Sequence, residues 1–220
     1  MQKPSKLLKF RLFSKFAFFR TRFSFKGIET YPLPTPSTII GLLYTACGKK
    51  WKEEVFDMSI QGYFEGSMED FRWHRAVDFN GKSIDRYVLR LPLLLNLEVV
   101  VHVKSQDRDT LDYFLEGLLR PRSILRLGEF PTSIISAGYV EYEEREADFL
   151  TIPYDAWVPE DINSGFKRGS KGIYFKLPTF WSSVNKPREF IYRGYYYHTK
   201  GSLLHGRSIL YDEEGLPVWL

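Results

Sequence analysis

Strict alternation of apolar and polar residues near the start of the chain predicts β-strands with one apolar face. Leu8-Lys9-Phe10-Arg11-Leu12 alternates at the period of two that is typical of strands. The segment 19–26 alternates again, which would place its aromatic residues and its cations on opposite sides. Later runs rich in apolar residues predict three more strands, at 60–65, 93–104 and 133–142.

A switch to helical spacing follows three prolines at every second position, Pro32, Pro34 and Pro36. Each proline disfavours the α conformation in the residue before it, so no helix is expected before Pro36. Thr35 suits the N-cap, Pro36 the first helical position and Gly48 a left-handed stop. One apolar stripe then lies at helical spacing, formed by Ile39, Leu42, Leu43, Ala46 and Cys47.

A second helix is predicted at 110–119, so the elements follow the order β-α-β-β-α-β. This order predicts an α+β fold, a ferredoxin-like domain of the kind found in many RNA-recognition modules. We expect that domain to span residues 1–148. Residues 149–220 contain short strands broken by Pro and Gly, and predict a small β-rich C-terminal appendage.

An insert at about 66–92 is too long for a simple connection between the second and third strands. It holds Phe71-Arg-Trp-His-Arg75 and Arg86-Tyr-Val-Leu-Arg90, and Asn80-Gly81 between them is typical of a hairpin turn. Two interpretations of this protruding hairpin remain open, nucleic-acid contact and packing against a partner protein. The side chains proposed for nucleic-acid contact are Arg72, Trp73, Arg75 and Arg86.

The charge distribution changes this picture, because the net charge of +4 is unevenly spread. Residues 1–52 contain eleven Lys and Arg and one acid, so they carry about +10 and the remainder about −6. A basic sector on an otherwise acidic protein favours a polyanion on one face. Ser37 and Thr38 at the helix start suit a phosphate, and Arg20 and Arg22 are the nearest candidates for further backbone contacts.

Several classes of protein are disfavoured by the sequence. Cys47 is the only cysteine, which excludes an internal disulfide and suits a reducing compartment. No apolar run approaches the roughly 18 residues of a membrane span, so we expect a cytoplasmic protein without a membrane partner. The four histidines lack metal-ligand spacing and no nucleotide-binding fingerprint occurs, so no metal or cofactor is expected.

Metal-independent RNA cleavage stays open as an alternative, because it needs only a base, an acid and a cation near the scissile phosphate. His102 and Lys104 share one face of a predicted strand. His198 lies in the cluster Tyr195-Tyr-Tyr-His-Thr-Lys200. The structural alternative for His102 is a histidine with a satisfied hydrogen bond on a strand face, and the alternative for the tyrosine cluster is aromatic packing.

The lead-in also carries a resemblance to a known family. Phe18-Phe19-Arg20, followed by Tyr31-Pro-x-Pro and by Ile39-Ile-Gly-Leu-Leu43, resembles the fifth family of CRISPR-associated proteins in its type I-B-like form. Leu125-Arg-Leu-Gly-Glu-Phe-Pro131 resembles the family's Leu-Gly-x-Ser-Glu-Phe-Pro element without its Ser. Asp212 to Trp219 resembles the family's terminal strand.

This resemblance implies an RNA-binding subunit of a type I surveillance complex, Cascade, which caps the 5′ handle of the guide RNA (crRNA) and projects a thumb-like hairpin onto it. Its implied partners are the crRNA, the backbone subunit and the large subunit, with target DNA reached only through the complex. One branch of the family cleaves its own precursor RNA and keeps a Tyr where this chain has Pro36. The departure favours a non-catalytic member.

Overall fold

The computed structural model describes residues 6–22, 29–49, 51, 54–77, 81–169, 171–181 and 189–220. Within them lie three helices: α1 (Pro36–Cys47), α2 (Arg108–Leu119) and α3 (Glu160–Asn163). The strands are β1 (Lys6–Ala17), β2 (Asp57–Tyr63), β3 (Gly66–Val77), β4 (Ser83–Lys104), β5 (Arg126–Leu127), β6 (Phe130–Pro131), β7 (Ser133–Thr151), β8 (Asp155–Pro159), β9 (Arg168–Gly169), β10 (Ile173–Trp181), β11 (Phe190–His198), β12 (Leu203–Asp212) and β13 (Pro217–Val218).

One antiparallel sheet organises the described part of the chain, and few helices accompany it. Its strand order is β10-β11-β8-β2-β4-β1-β7-β12-β13, with β3 paired to β4 and β9 paired to β12. The short strands β5 and β6 form a separate ribbon. The boundary predicted near residue 148 falls inside β7, and the strands after it extend the same sheet on both sides.

The main core lies where α1 and α2 pack on one face of the sheet. Leu8, Phe10 and Leu12 alternate along β1 and are fully buried, as predicted for an apolar strand face. The apolar stripe of α1 meets them in the same cluster, which also takes in Trp157 and Leu177 from the C-terminal strands. Cys47 is buried there, and burial raises its pKa to about 11, so it is a core residue as expected.

The opposite face of the central strands also contains buried side chains, and several of them are polar. Lys9 on β1 pairs across to His102 on β4, which pairs to Ser59 on β2. All three side chains are buried. The end of β12 covers them, since its last residue, Asp212, accepts hydrogen bonds from Lys9 Nζ at 2.5 Å and from His102 Nε2 at 3.0 Å.

Burial and hydrogen bonding in this cluster shift the pKa values of Asp212 and His102. Burial alone would raise the pKa of Asp212, but the hydrogen bonds from His102 and Lys9 outweigh it and hold the pKa below its ordinary value. Burial lowers the pKa of His102 despite the neighbouring carboxylate. Asp212 is therefore an anion that neutralises the Lys9 ammonium, and the His102 imidazole is neutral.

The sequence-based element boundaries need several corrections. The second arm of the predicted insert and the third strand are one continuous strand, β4, and Asn96 marks the change of partners with a left-handed φ of 49°. The acidic stretch 141–148 continues β7 and does not follow it. Residues 18–22 form no strand and contribute a single bridge between Arg20 and Thr30. The rest of the strand predicted at 19–26, residues 23–26, lies outside the described residues.

We predict that Asp212→Ala lowers the free energy of unfolding by roughly 3–5 kcal/mol, the typical result of removing one partner from a buried ion pair. The cause is the Lys9 ammonium, which is 5% exposed and would lose its buried counter-ion, keeping only the half-exposed Glu214 at 2.7 Å. Urea denaturation measures the change. The neighbouring exposed Glu213 provides the control, because Glu213→Ala should cost less than about 0.5 kcal/mol. Equal stability of the two variants would contradict this account.

Candidate nucleic-acid interface

The start of helix α1 has the geometry predicted from its sequence. Thr35 is extended, Pro36 occupies the first helical position and Gly48 ends the helix with a φ of 68°. The hydroxyl of Thr35 does not cap a backbone group, because it lies 3.0 Å from the hydroxyls of Ser37 and Thr38. Three hydroxyl groups are therefore gathered at the positive end of the helix dipole.

Fewer backbone donors are available at this helix start than the sequence suggested. Pro36 has no N–H, and the N–H groups of Thr38 and Ile39 both donate to the carbonyl of Thr35. The first turn can therefore offer at most the N–H of Ser37 to an anion. Hydroxyl groups and arginines have to supply the remaining contacts.

The proline-rich lead-in lies against the segment that follows β1. The N–H of Tyr31 donates to the carbonyl of Phe19 at 2.8 Å, and the N–H of Phe19 donates to the hydroxyl of Thr30 at 2.9 Å. These bonds hold residues 18–22 beside the helix start. Arg20 and Arg22, both exposed, are brought to the same place as Ser37 and Thr38.

All four of these predicted residues line one groove with a volume of about 230 Å³. One wall comes from the helix start and the residues after β1. The other comes from β10 and β11, with Pro178, Phe190 and Tyr192. The guanidinium carbon of Arg22 lies 4.6 Å from the centre of the Tyr192 ring, a cation–π contact across the groove.

Sequence reasoning missed the aromatic wall of this groove. Phe190 and Tyr192 alternate along β11 and so share one face of that strand. Their alternation is visible in the sequence, but it could equally describe internal packing. They become part of the groove only because the fold brings β11 near the start of α1, which is far from it along the chain.

Among the described cations of the amino-terminal quarter, Lys6, Lys9 and Arg11 do not line the groove. Lys9 is buried against Asp212, and Arg11 pairs with Glu214 at 2.7 Å. Lys6 faces Glu141 at 4.0 Å. Lys3, Lys26, Lys50 and Lys52 lie outside the described residues.

The hairpin formed by β3 and the first half of β4 separates its predicted residues onto two faces. Trp73 pairs with Val88, and Arg75 pairs with Arg86, so these side chains share one face. Phe71 and Arg90 pair on that same face. Trp73 is 79% exposed and Phe71 is 64% exposed. This face, called the Trp73 face below, combines exposed aromatic rings with three arginines.

Arg72 lies on the opposite side of the hairpin and serves another purpose. Its guanidinium donates to Asp70 at 2.6 Å and to Glu129 at 2.7 Å, and its carbon lies 5.4 Å from the centre of the Phe130 ring. Glu129 follows Gly128, whose backbone packs closely against Phe18. A Cβ added at Gly128 would lie only 2.3 Å from the carbonyl oxygen of Phe18. Arg72 therefore lies on the same hairpin as Trp73, Arg75 and Arg86, as the sequence indicated, but on its other face. The predicted turn residue Asn80 lies outside the described residues.

The residues proposed for RNA cleavage are spread over different environments. His102 is fully buried in the cluster with Asp212, whereas Lys104 is exposed beside Tyr142. His198 is fully buried too, with its Nε2 2.8 Å from Asn163 Oδ1, and burial lowers its pKa. Neither buried imidazole is placed to reach an RNA on the surface.

The described ranges of the chain contain no group of three or more His, Cys, Asp or Glu side chains placed to hold a metal ion. Among the helices in those ranges, none is both long enough and apolar enough to cross a membrane.

Solved structures with the same fold come from CRISPR systems. A chain of a structure described as a CRISPR RNA-guided surveillance complex matches with a TM-score of 0.62 and 16% identity, covering 91% of both chains. A CRISPR protein from Archaeoglobus fulgidus matches with a TM-score of 0.52 and 10% identity, covering 97% of both chains. Among curated proteins, none matches the sequence significantly.

The family is settled by the sequence itself, since a model of the family described as CRISPR-associated protein (Cas_Cas5) matches residues 7–160. That range includes β1, the lead-in, both main helices and the hairpin. The resemblance first noticed in the lead-in is confirmed, and the chain belongs to the Cas5 family of CRISPR-associated proteins.

Proposed function

We propose that this protein is a non-catalytic subunit of a type I surveillance complex, in which it binds and caps the 5′ handle of the crRNA. The observation that carries the proposal is the groove at the start of α1. Arg20, Arg22, Ser37 and Thr38 line it together, although they come from two segments of the chain. Family membership and the fold of a surveillance-complex chain support the same setting.

The groove has the chemistry that a single-stranded RNA needs. Arginines and hydroxyl groups can bind phosphate oxygens, and the aromatic wall can take a base by stacking. Tyr31 adds a phenol from the lead-in side of the groove, and burial raises its pKa, so that this phenol is uncharged at neutral pH. Such contacts favour the backbone and the π-face of a base, and they demand little of its sequence.

The hairpin supplies a second surface for RNA and corresponds to the thumb that the family resemblance implies. Its Trp73 face offers exposed rings for stacking beside the cations Arg75, Arg86 and Arg90. Arg72, tied to Asp70 and Glu129, would fix the base of the hairpin to the rest of the protein. Separate anchoring and binding faces suit a rigid projection.

The finer fold belongs to the same proposal. The strand order β2-β4-β1-β7, with both main helices in one core, supports a ferredoxin-like domain.

Partner subunits would contact other surfaces of the protein. The exposed carboxylates of β7 repel RNA and would face basic surfaces of the backbone or large subunit, so that target DNA is reached only through the complex. This setting is the cytoplasm.

RNA cleavage by this chain is the alternative, and the burial of His102 and His198 weighs against it. Incubation with labelled repeat RNA in EDTA separates the two functions. A binding subunit leaves the RNA intact. Products that carry a 2′,3′-cyclic phosphate and disappear in Lys104→Ala or His198→Ala would favour the nuclease.

We predict that Arg20→Gln combined with Arg22→Gln weakens binding of repeat RNA and lowers its dependence on salt. The slope of log affinity against log salt should fall by about 1.4, because each phosphate contact on a single strand contributes about 0.7. Fluorescence anisotropy at several salt concentrations measures this.

The control removes the same charge elsewhere, by Arg108→Gln combined with Arg120→Gln at the two ends of α2. Both arginines are exposed and lie outside the groove. Equal effects of the two double variants would mean that net charge, and not the groove, determines binding.

For the hairpin, we predict that Trp73→Ala weakens RNA binding by about 5- to 150-fold, the range for one lost stacking contact of about 1–3 kcal/mol. The melting temperature of the Trp73→Ala variant should change little, because Trp73 is 79% exposed. Arg72→Ala is the matched variant on the other face and should lower the melting temperature more than Trp73→Ala does. RNA binding that is unchanged in Trp73→Ala would assign this face to a protein partner.

A further inference from the structure

The C-terminal strands contribute one entire wall of the groove at the start of α1. Pro178 on β10 pairs directly with Tyr192 on β11, and Phe190 lies two residues before Tyr192 on the same face. All three line the groove opposite the hydroxyl groups of Thr35, Ser37 and Thr38. A ligand in the groove therefore contacts both the amino-terminal quarter and the last third of the chain.

The two walls offer different chemistry to a ligand. Tyr192 and Phe190 are partly exposed rings, and Tyr192 is held in cation–π contact with Arg22. The facing wall presents the hydroxyls of Ser37 and Thr38, each 3.0 Å from the hydroxyl of Thr35, and the exposed Arg20 side chain. A ligand that matches both walls has a flat apolar part and an anionic part with several oxygen acceptors.

The size of the groove limits what it can enclose. Its volume of about 230 Å³ is below the roughly 300 Å³ at the lower end of sites for small molecules. It can hold one base with its adjoining phosphate, and a longer stretch of RNA would have to pass over its rim. Stacking on aromatic and guanidinium planes is the usual way in which proteins hold a splayed base.

We propose that the groove takes one single nucleotide of the RNA, with its base against Tyr192 and Phe190 and its phosphate at Arg20 and the three hydroxyls. This inference rests on the proposed RNA-binding function and deepens it. It assigns to β11 a direct part in RNA contact. It also requires the chain to splay one base out of its stack at this place.

The test uses the full-length protein and a short single-stranded RNA copied from the host's CRISPR repeat, with 2-aminopurine placed at each position in turn. Stacking on an aromatic ring quenches the fluorescence of this base. We expect quenching to be centred on one position in the wild type, to be relieved by Tyr192→Ala and to persist in Tyr192→Phe. Affinity should fall about 5- to 150-fold in Tyr192→Ala only, the range for one lost stacked base.

Tyr196→Ala is the matched control, because Tyr196 lies on the same strand, packs against Tyr174 and is not in the groove. It should leave the quenched position and the affinity unchanged. Quenching that is untouched by Tyr192→Ala while Arg20→Gln with Arg22→Gln still weakens binding would overturn this inference and leave the proposed function standing. A wild-type protein that does not bind the RNA would overturn both.

Discussion

The hydrogen bond from the Trp157 indole to the carbonyl of Pro34 fastens the lead-in of α1 to the C-terminal strands. The bond is buried, measures 3.1 Å and joins residues 123 positions apart. The Tyr31 ring packs edge-on against the rings of Trp157 and Phe175, at centroid distances of 6.3 and 5.8 Å. Because the two walls of the groove come from the two sides of this junction, its width depends on the junction.

Proline stiffness and this junction act together on the helix start. The alternating prolines limit the conformations of the lead-in in the unfolded chain. Less conformational entropy is therefore lost when the lead-in forms its hydrogen bond with Trp157. The same contacts bring residues 18–22 alongside through Tyr31 and Phe19. The groove, which is lined by three distant segments, thus rests on a few buried aromatic side chains.

The sequence was sufficient for α1 because its determinants are local. Thr35, Pro36, Gly48 and the apolar stripe all act within a few turns, and the observed helix begins and ends where they predict. Arg20, Arg22, Ser37 and Thr38 could be grouped for the same reason, as neighbours of one lead-in. The strand boundaries were less accurate, because β4 runs through a change of partners that only tertiary pairing determines.

Long-range partners explain what sequence reasoning missed. Lys9 looked like a solvent-facing cation, but its counter-ion Asp212 lies 203 residues further along the chain. Tyr192 gave no sign of its place opposite Ser37, since the sheet order that brings β11 near α1 is not encoded in any short pattern. Arg72 was grouped with Trp73 by proximity in sequence, whereas neighbouring residues of a strand point to opposite faces.

Ultraviolet cross-linking of the guide RNA in the purified surveillance complex, followed by mass spectrometry of the linked peptides, tests the central claim most directly. Our account predicts cross-links to peptides that contain Tyr31 or Tyr192, together with peptides from the Trp73 face of the hairpin. Cross-links confined to other surfaces of this subunit, with the peptides of the groove unmodified, would contradict it.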